Sequence, residues 1–244
     1  MSLAFTGYIL PWGQMSYWGA QVIISMFGAI PVIGDTLSHW LLGDFTLSDA
    51  ALNRFFAYHV VTLPVLLVTL VFVHILALHE VGSNNPDGIE IKKNRDPQTK
   101  IPVDGIPFHP YYSVKGVFGV IGFLIVFCAI IFFAPEFGGY FLEHNNFIPA
   151  NQLQTPDHIA PVWYMTPFYA ILRAITFSVF GLDAKFLGVI FMGAAIAILF
   201  VLPWLDRSPV RSMRYKGWMS KVMLLLFAIS FVILGVLGVL PSTE

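Results

Sequence analysis

Apolar positions fall in long uninterrupted blocks, and the polar ones collect in the gaps between them. Four blocks can each form a helix of about 20 residues, the length that crosses about 30 Å of hydrocarbon. They run from Asn53 to Glu80, from about Tyr112 to Ala134, over about 184–205 (ending at Pro203 and Trp204), and from about Trp218 to Leu240. Residues 1–10 are apolar but too short to span, and Pro11, Gly13 and Gly19 break them off, so they read as the end of a membrane helix whose beginning is missing. Residues 15–30, with Pro31, Gly34 and Gly43 after them and Ser38, His39 and Trp40 between, mix aromatics, small residues and turn formers. That mixture suits short helices lying at the membrane interface. A further apolar, helix-forming stretch covers 163–180, with Arg173 inside it. The predicted fold is therefore all-α: a polytopic transmembrane helix bundle of four complete spans plus the end of another, with interfacial helices.

Composition agrees. With 57% hydrophobic and 11% charged residues and a mean hydropathy of +0.76, the chain falls outside the range of soluble globular domains and reads as an integral membrane protein. No basic cluster with interleaved aromatics points to nucleic acid. Cys128 stands alone in an apolar run, which leaves no intrachain disulfide and no CxxC signature. Of 13 Lys and Arg, four lie in the loop after the first long block (Lys92, Lys93, Arg95, Lys100) and four in the loop 206–217 (Arg207, Arg211, Arg214, Lys216). Basic loops stay on the cytoplasmic side, so the loop over 135–166, which contains no Lys or Arg, faces outward.

The first long block carries two imidazoles inside its apolar run, His59 and His74. Fifteen residues apart, they differ on a uniform α-helix by about 60° in azimuth and about 22 Å in height, so both leave one face near opposite sides of the membrane. Ionisable groups at that depth are costly and mark function. Two irons stacked across the membrane, each taking one imidazole, account for the pair; two neutral histidines bonded to neighbouring helices are the bland alternative. A proton-coupled transporter or scaffold with structural histidines is the competing function class, and such transporters more often carry intramembrane Asp or Glu paired with Lys or Arg, which these four blocks lack. His79, beside Glu80 at the block's end, suits an interfacial, solvated position equally well.

Five stretches then follow in order: GYILPWGQMSYWGA (7–20), the block with the paired histidines, HEVGSNNP (79–86), PFHPYY (107–112), and PVWY with YAILR (161–173). Together they resemble cytochrome b of the quinol:cytochrome c oxidoreductase (cytochrome bc) complex, bacterial type, truncated at both ends. The resemblance implies two b-type haems, each held by one His from the family's second helix and one from its fourth. His59 and His74 match the fourth and are the implied metal ligands, with the second axial His of each haem supplied by helices absent from these residues. On this likeness, residues 1–110 hold the end of the third family helix, the outer interfacial helices, the haem-ligating fourth helix and a cytoplasmic loop. Residues 111–244 hold the outer quinol-site segment and three further spans.

The implied chemistry is quinol oxidation at an outer site and quinone reduction at an inner one, coupled to proton translocation, with ubiquinol and ubiquinone as the substrate pair. The implied partners are a Rieske iron-sulfur protein, a c-type cytochrome subunit, the missing cytochrome b helices, a second copy in a homodimeric complex, and membrane lipid. The implied location is the bacterial inner membrane. Neither haem could be fully ligated by these residues alone, so the chain by itself is expected to be inactive.

The outer site would be built from the segment Gly7–Ile24 and from Pro161, Val162, Trp163 and Tyr164, with Tyr169 a further candidate. An aromatic, apolar slot plus a proton acceptor is what quinol oxidation needs. Many relatives have Glu where this chain has Val162, which accepts no proton, and Asp157 and His158 a few residues upstream are the candidates for that role. A proline-initiated interfacial helix whose Trp and Tyr anchor at the headgroups is the structural alternative for PVWY. The inner site would include His79, Ser83 and Lys115; the family commonly places Asp directly after that Lys, where this chain has Gly116. Lys115 equally suits snorkelling to the cytoplasmic interface. The His59–His74 spacing is one residue longer than in mitochondrial-type members, and Pro64, which removes a backbone donor, is placed to absorb the difference by a kink.

Overall fold

The computed structural model describes residues 1–82, 90–210 and 212–241. Ser83, Asn84, Asn85, Pro86 and Arg211, named above, lie outside the described residues. Among those described, the regular structure is helical: α1 (Ser2–Tyr8), α2 (Gln14–Phe27), α3 (Gly34–Leu42), α4 (Asp49–Ala57), a π-helical turn (Tyr58–Thr62), α5 (Leu63–Val81), α6 (Tyr111–Phe133), α7 (Thr166–Ala174), α8 (Ala184–Leu205) and α9 (Trp218–Val239). Four segments are long and apolar enough to cross a membrane: Asp49–Val81, Tyr111–Phe133, Ala184–Leu205 and Trp218–Val239. The chain is a multi-pass membrane protein.

The predicted spans agree with these bounds to within about two residues, except that the first begins at Asp49 rather than Asn53. Ser48, in extended conformation, sets that start by accepting the first intrahelical bond, from Leu52 N–H, while its hydroxyl donates to the Leu42 carbonyl. The stretch 163–180 is helical over Thr166–Ala174 only. Its helix stops where Ile175 turns extended and the β-branched Thr176 follows, and the chain then closes a tight turn between Val179 and Leu182 through Phe180 and Gly181, both at positive φ.

The chain divides into two compact units. The first comprises Met1–Val73, Glu143–Arg207 and Leu224–Glu244; the second comprises His74–Leu142 and Ser208–Met223. The first unit holds a side-chain core built from the short helices. Tyr17, Ala20 and Ile24 recur at helical spacing on α2 and meet Ile9, Leu42, Leu47, Ala51 and Phe55, all buried. Phe5 of α1 meets Phe55 of α4 edge to face, ring centroids 5.6 Å apart. At the other end of this unit, α7 packs on α8. The end of α9 approaches the start of α7 so closely that a Cβ on Gly238 would stand 2.1 Å from the Thr166 carbonyl oxygen, the small-residue contact by which membrane helices pack. In the second unit, the α6 face is exposed among the described residues, as an apolar helix surrounded by lipid or by other polypeptides would be.

Candidate active site

A strap of chain fixes the start of α2 in the first unit. Residues 143–151 lie along the turn that opens α2. Gln14 N–H donates to the Ile148 carbonyl (2.9 Å) and Ala150 N–H to the Trp12 carbonyl (3.0 Å). Ser16 N–H, in the first turn of α2 where no intrahelical acceptor exists, donates to Asn146 Oδ1 (2.9 Å), and both residues are buried. The Gln14 amide spans the same seam: its oxygen accepts from Asn151 N–H (2.7 Å) and its nitrogen donates to the Gln154 carbonyl (2.9 Å). Trp12 sits in the left-handed region (φ 54°) and packs edge to face on Tyr17. A backbone so conditioned is kept only where its surroundings determine it.

The strap carries Glu143 to α1, where the Tyr8 hydroxyl donates to Glu143 Oε2 at 2.6 Å, the length of a hydrogen bond to an ionised carboxylate. Tyr164 lies near enough for its charge to interact with that of Glu143. Burial raises the Glu143 carboxyl above its ordinary range, outweighing the bond donated by Tyr8 and one from its own backbone. Burial likewise raises the Tyr164 phenol, and the nearby carboxylate raises it further. Beside this group lies a shallow slot, its exposed lining apolar, formed by Phe5, Tyr8, Gly19, Ile23, Val162 and Tyr164 together with Pro161 and Met165. A second shallow hollow shares Gly19, Ile23 and Pro161 and adds Tyr169 and Ile159. Apolar, aromatic concavities of this kind are where flat apolar ligands dock.

The structure therefore brings together Pro161, Val162, Tyr164 and Tyr169 with the segment Gly7–Ile24. Trp163, next to them, is 45% exposed, its ring edge-on to Tyr164. Asp157 and His158 are exposed and do not line the slot; His158 Nε2 donates instead to the Val239 carbonyl at the end of α9 (2.9 Å). Glu143, which no local pattern in the sequence singles out, is one of few acids in the stretch 135–166, which holds no Lys or Arg. In the second unit, His74, His79 and Lys115 are all exposed, and the Lys115 ammonium stands over the Tyr112 ring, 5.7 Å from its centroid. Ser83 lies outside the described residues.

His59 sits in the π-helical turn, half-buried against α1. Its Nδ1 stands 2.9 Å from the Leu3 carbonyl oxygen. A carbonyl only accepts, so Nδ1 carries the proton and Nε2 keeps its lone pair.

Residues 1–167 match the family described as Cytochrome b(N-terminal)/b6/petB, and residues 149–244 match Cytochrome b(C-terminal)/b6/petD. The chain belongs to the cytochrome b/b6 family. It is 61% identical to a cytochrome b of Allochromatium vinosum over the whole of this chain and 59% of that one. It is 50% identical to a cytochrome b of Rhodospirillum rubrum, covering 55% of that protein. A solved structure described as hyperthermophilic respiratory Complex III superposes with a TM-score of 0.84 at 36% identity, over 99% of this chain and 60% of that one. The chain thus spans a little over half the length of the relatives it matches.

Membership of the cytochrome b/b6 family implies binding of haem b, and the donor set at His59 fits it. A ring whose Nδ1–H is held by a backbone carbonyl presents Nε2 as a metal ligand in a fixed tautomer.

Proposed function

We propose that the chain is the membrane electron-transfer part of cytochrome b in a bacterial respiratory quinol:cytochrome c oxidoreductase of the inner membrane. The observation that carries this reading is the aromatic slot between α1, α2 and the PVWY tetrad, in the same compact unit as an imidazole whose Nε2 is free to bind iron. When bound, two b-type haems supply one-electron transfer between an outer and an inner quinone site. His59 and His74 each hold one of them, and the second axial histidines come from cytochrome b helices outside this chain.

Quinol binds against Pro161, Val162, Trp163, Tyr164 and Tyr169, which exclude water from its ring. One electron leaves to a Rieske iron-sulfur protein and on to a c-type cytochrome, and the other crosses the membrane to reduce quinone near His79, Ser83 and Lys115. Protons are released on the outer side, the side of the strap. The substrate pair is ubiquinol and ubiquinone, and the complex is a homodimer.

Substitution of His59 by Leu in full-length cytochrome b tests the assignment. The reduced-minus-oxidised spectrum of the assembled complex is expected to lose one of two b components and keep the other. Both components at full intensity would contradict it.

A further inference from the structure

We propose that the C-terminal end of α9 is the seat that sets where the PVWY tetrad stands, with His158 and Arg173 as the positioning residues that hold the tetrad's stretch of chain to it. This rests on the function proposed above, in which quinol binds against that tetrad. An α-helix leaves the carbonyls of its last turn without partners inside the helix. Two carbonyls at the end of α9 are taken by side chains from one stretch. His158 Nε2 donates to the Val239 oxygen (2.9 Å), and Arg173 Nη1 donates to the Leu240 oxygen (2.9 Å). His158 stands just ahead of Pro161, and Arg173 lies in the last turn of α7. The tetrad is therefore gripped from both flanks by one helix end, and all of these residues belong to the first unit.

Between the two grips the start of α7 rests directly on α9. Phe231, Gly235 and Gly238, spaced by four and three, share one face of α9. Phe231 meets Phe168 edge to face, ring centroids 6.0 Å apart. A Cβ on Gly235 would meet Pro167 Cγ at 3.7 Å, and at Gly238 the Thr166 carbonyl leaves no room for one. Thr166, itself buried, ties this contact to the tetrad: its hydroxyl donates to the Trp163 carbonyl (2.7 Å), while Met165 N–H donates to the Val162 carbonyl (2.8 Å). A movement of the α9 end is thus carried into Val162 and Trp163. Because Pro161, Val162 and Tyr164 line the slot, it also changes how wide the slot stands. The Arg173 guanidinium lies over the Tyr169 ring as well, 5.4 Å from its centroid, and Tyr169 lines the neighbouring hollow. Donors that merely capped the helix could come from any neighbouring segment; a pair drawn from both sides of the tetrad fixes the tetrad. Such control matters because a misplacement of about 1 Å can cost about 100-fold in rate.

Arg173→Met and His158→Leu, singly and together, in the complete complex purified from native membranes, test this. Quinol:cytochrome c reductase kcat and the KM for a short-tailed ubiquinol are measured, with haem content read from the difference spectrum. Each single variant is expected to keep both b components, to raise KM, and to lose roughly 10- to 100-fold in kcat/KM. The double variant is expected to lose no more than the worse single one, because either release already frees the stretch. Arg173→Lys, which keeps a donor for the Leu240 carbonyl, is expected to recover most of the rate. Wild-type kcat and KM in either single variant would overturn the proposal. So would losses that multiply in the double variant, the mark of two independent contacts, or activity that falls only in proportion to haem, which would give the pair a structural role only. Should Arg173→Met fail to assemble, His158→Leu, at an exposed position, decides by the same readings, and failure of both to assemble would overturn the proposal too. An unsubstituted complex whose b haems quinol does not reduce would sink the underlying function instead, a result separable from all of these.

Discussion

His59 owes its setting to what surrounds it as much as to its own chemistry. The Leu3 carbonyl accepts the hydrogen bond from its Nδ1–H, and Gly7 leaves the room its ring occupies: a Cβ there would stand 2.4 Å from Cε1 and 2.9 Å from Nδ1. Gly7→Val is therefore expected to push the ring off the Leu3 carbonyl and to destabilise the first unit by roughly 1–3 kcal/mol. The check is a lower thermal midpoint together with a weakened b-haem component; a Gly7→Val protein with wild-type melting and spectrum would show that this close contact has no role. At this scale the sequence singles out His59 and His74, because imidazoles stand out in an apolar run. Glu143 was illegible for a physical reason: its partner lies 135 positions away, and no local period couples the two. Asp157 and His158 stand near PVWY in sequence, and the fold directs His158 to the Val239 carbonyl at the end of α9.

Among the elements, the first span departs most from a regular helix. Pro64 cannot donate to the carbonyl four residues back, and the ladder ahead of it widens: Leu63 N–H reaches the Tyr58 carbonyl, five residues back, closing the π turn Tyr58–Thr62. The sequence placed the irregularity at Pro64 and expected a kink. The structure accommodates the extra residue as a widened turn one step earlier, with His59 inside it, so a uniform helical count between the two histidines does not apply. A π turn is equivalent to one residue inserted into an α-helix. Deletion of Val61 is then expected to convert it to an ordinary turn and to leave an assembled, haem-containing complex. Deletion of Leu67, in the regular part of α5, would rotate everything beyond it by about 100° and abolish assembly. Haem content per complex distinguishes them, and equal loss in both would contradict this reading of the turn. The other spans were legible almost to the residue because 20-residue apolar blocks leave little choice of boundary, while the early end of α7 depends on β-branched residues that hydrophobicity alone does not register.

For the molecule as a whole, span number and the all-α fold follow from the length and hydropathy of its blocks. The packing of α1 to α4 with the strap does not, since those segments are short, mixed and held by hydrogen bonds far apart in sequence. The spans Asp49–Val81 and Tyr111–Phe133 present apolar faces left uncovered within the described residues, as befits helices meeting lipid or other apolar helices. The central claim is that this chain serves as part of a haem-bearing quinol-oxidising complex. Its most direct test is a reduced-minus-oxidised absorption spectrum, with quinol as reductant, of the complex captured from native membranes through a tag on the chain. The expected result is two b-type components accompanied by a c-type band. A captured complex with no haem signal would contradict it.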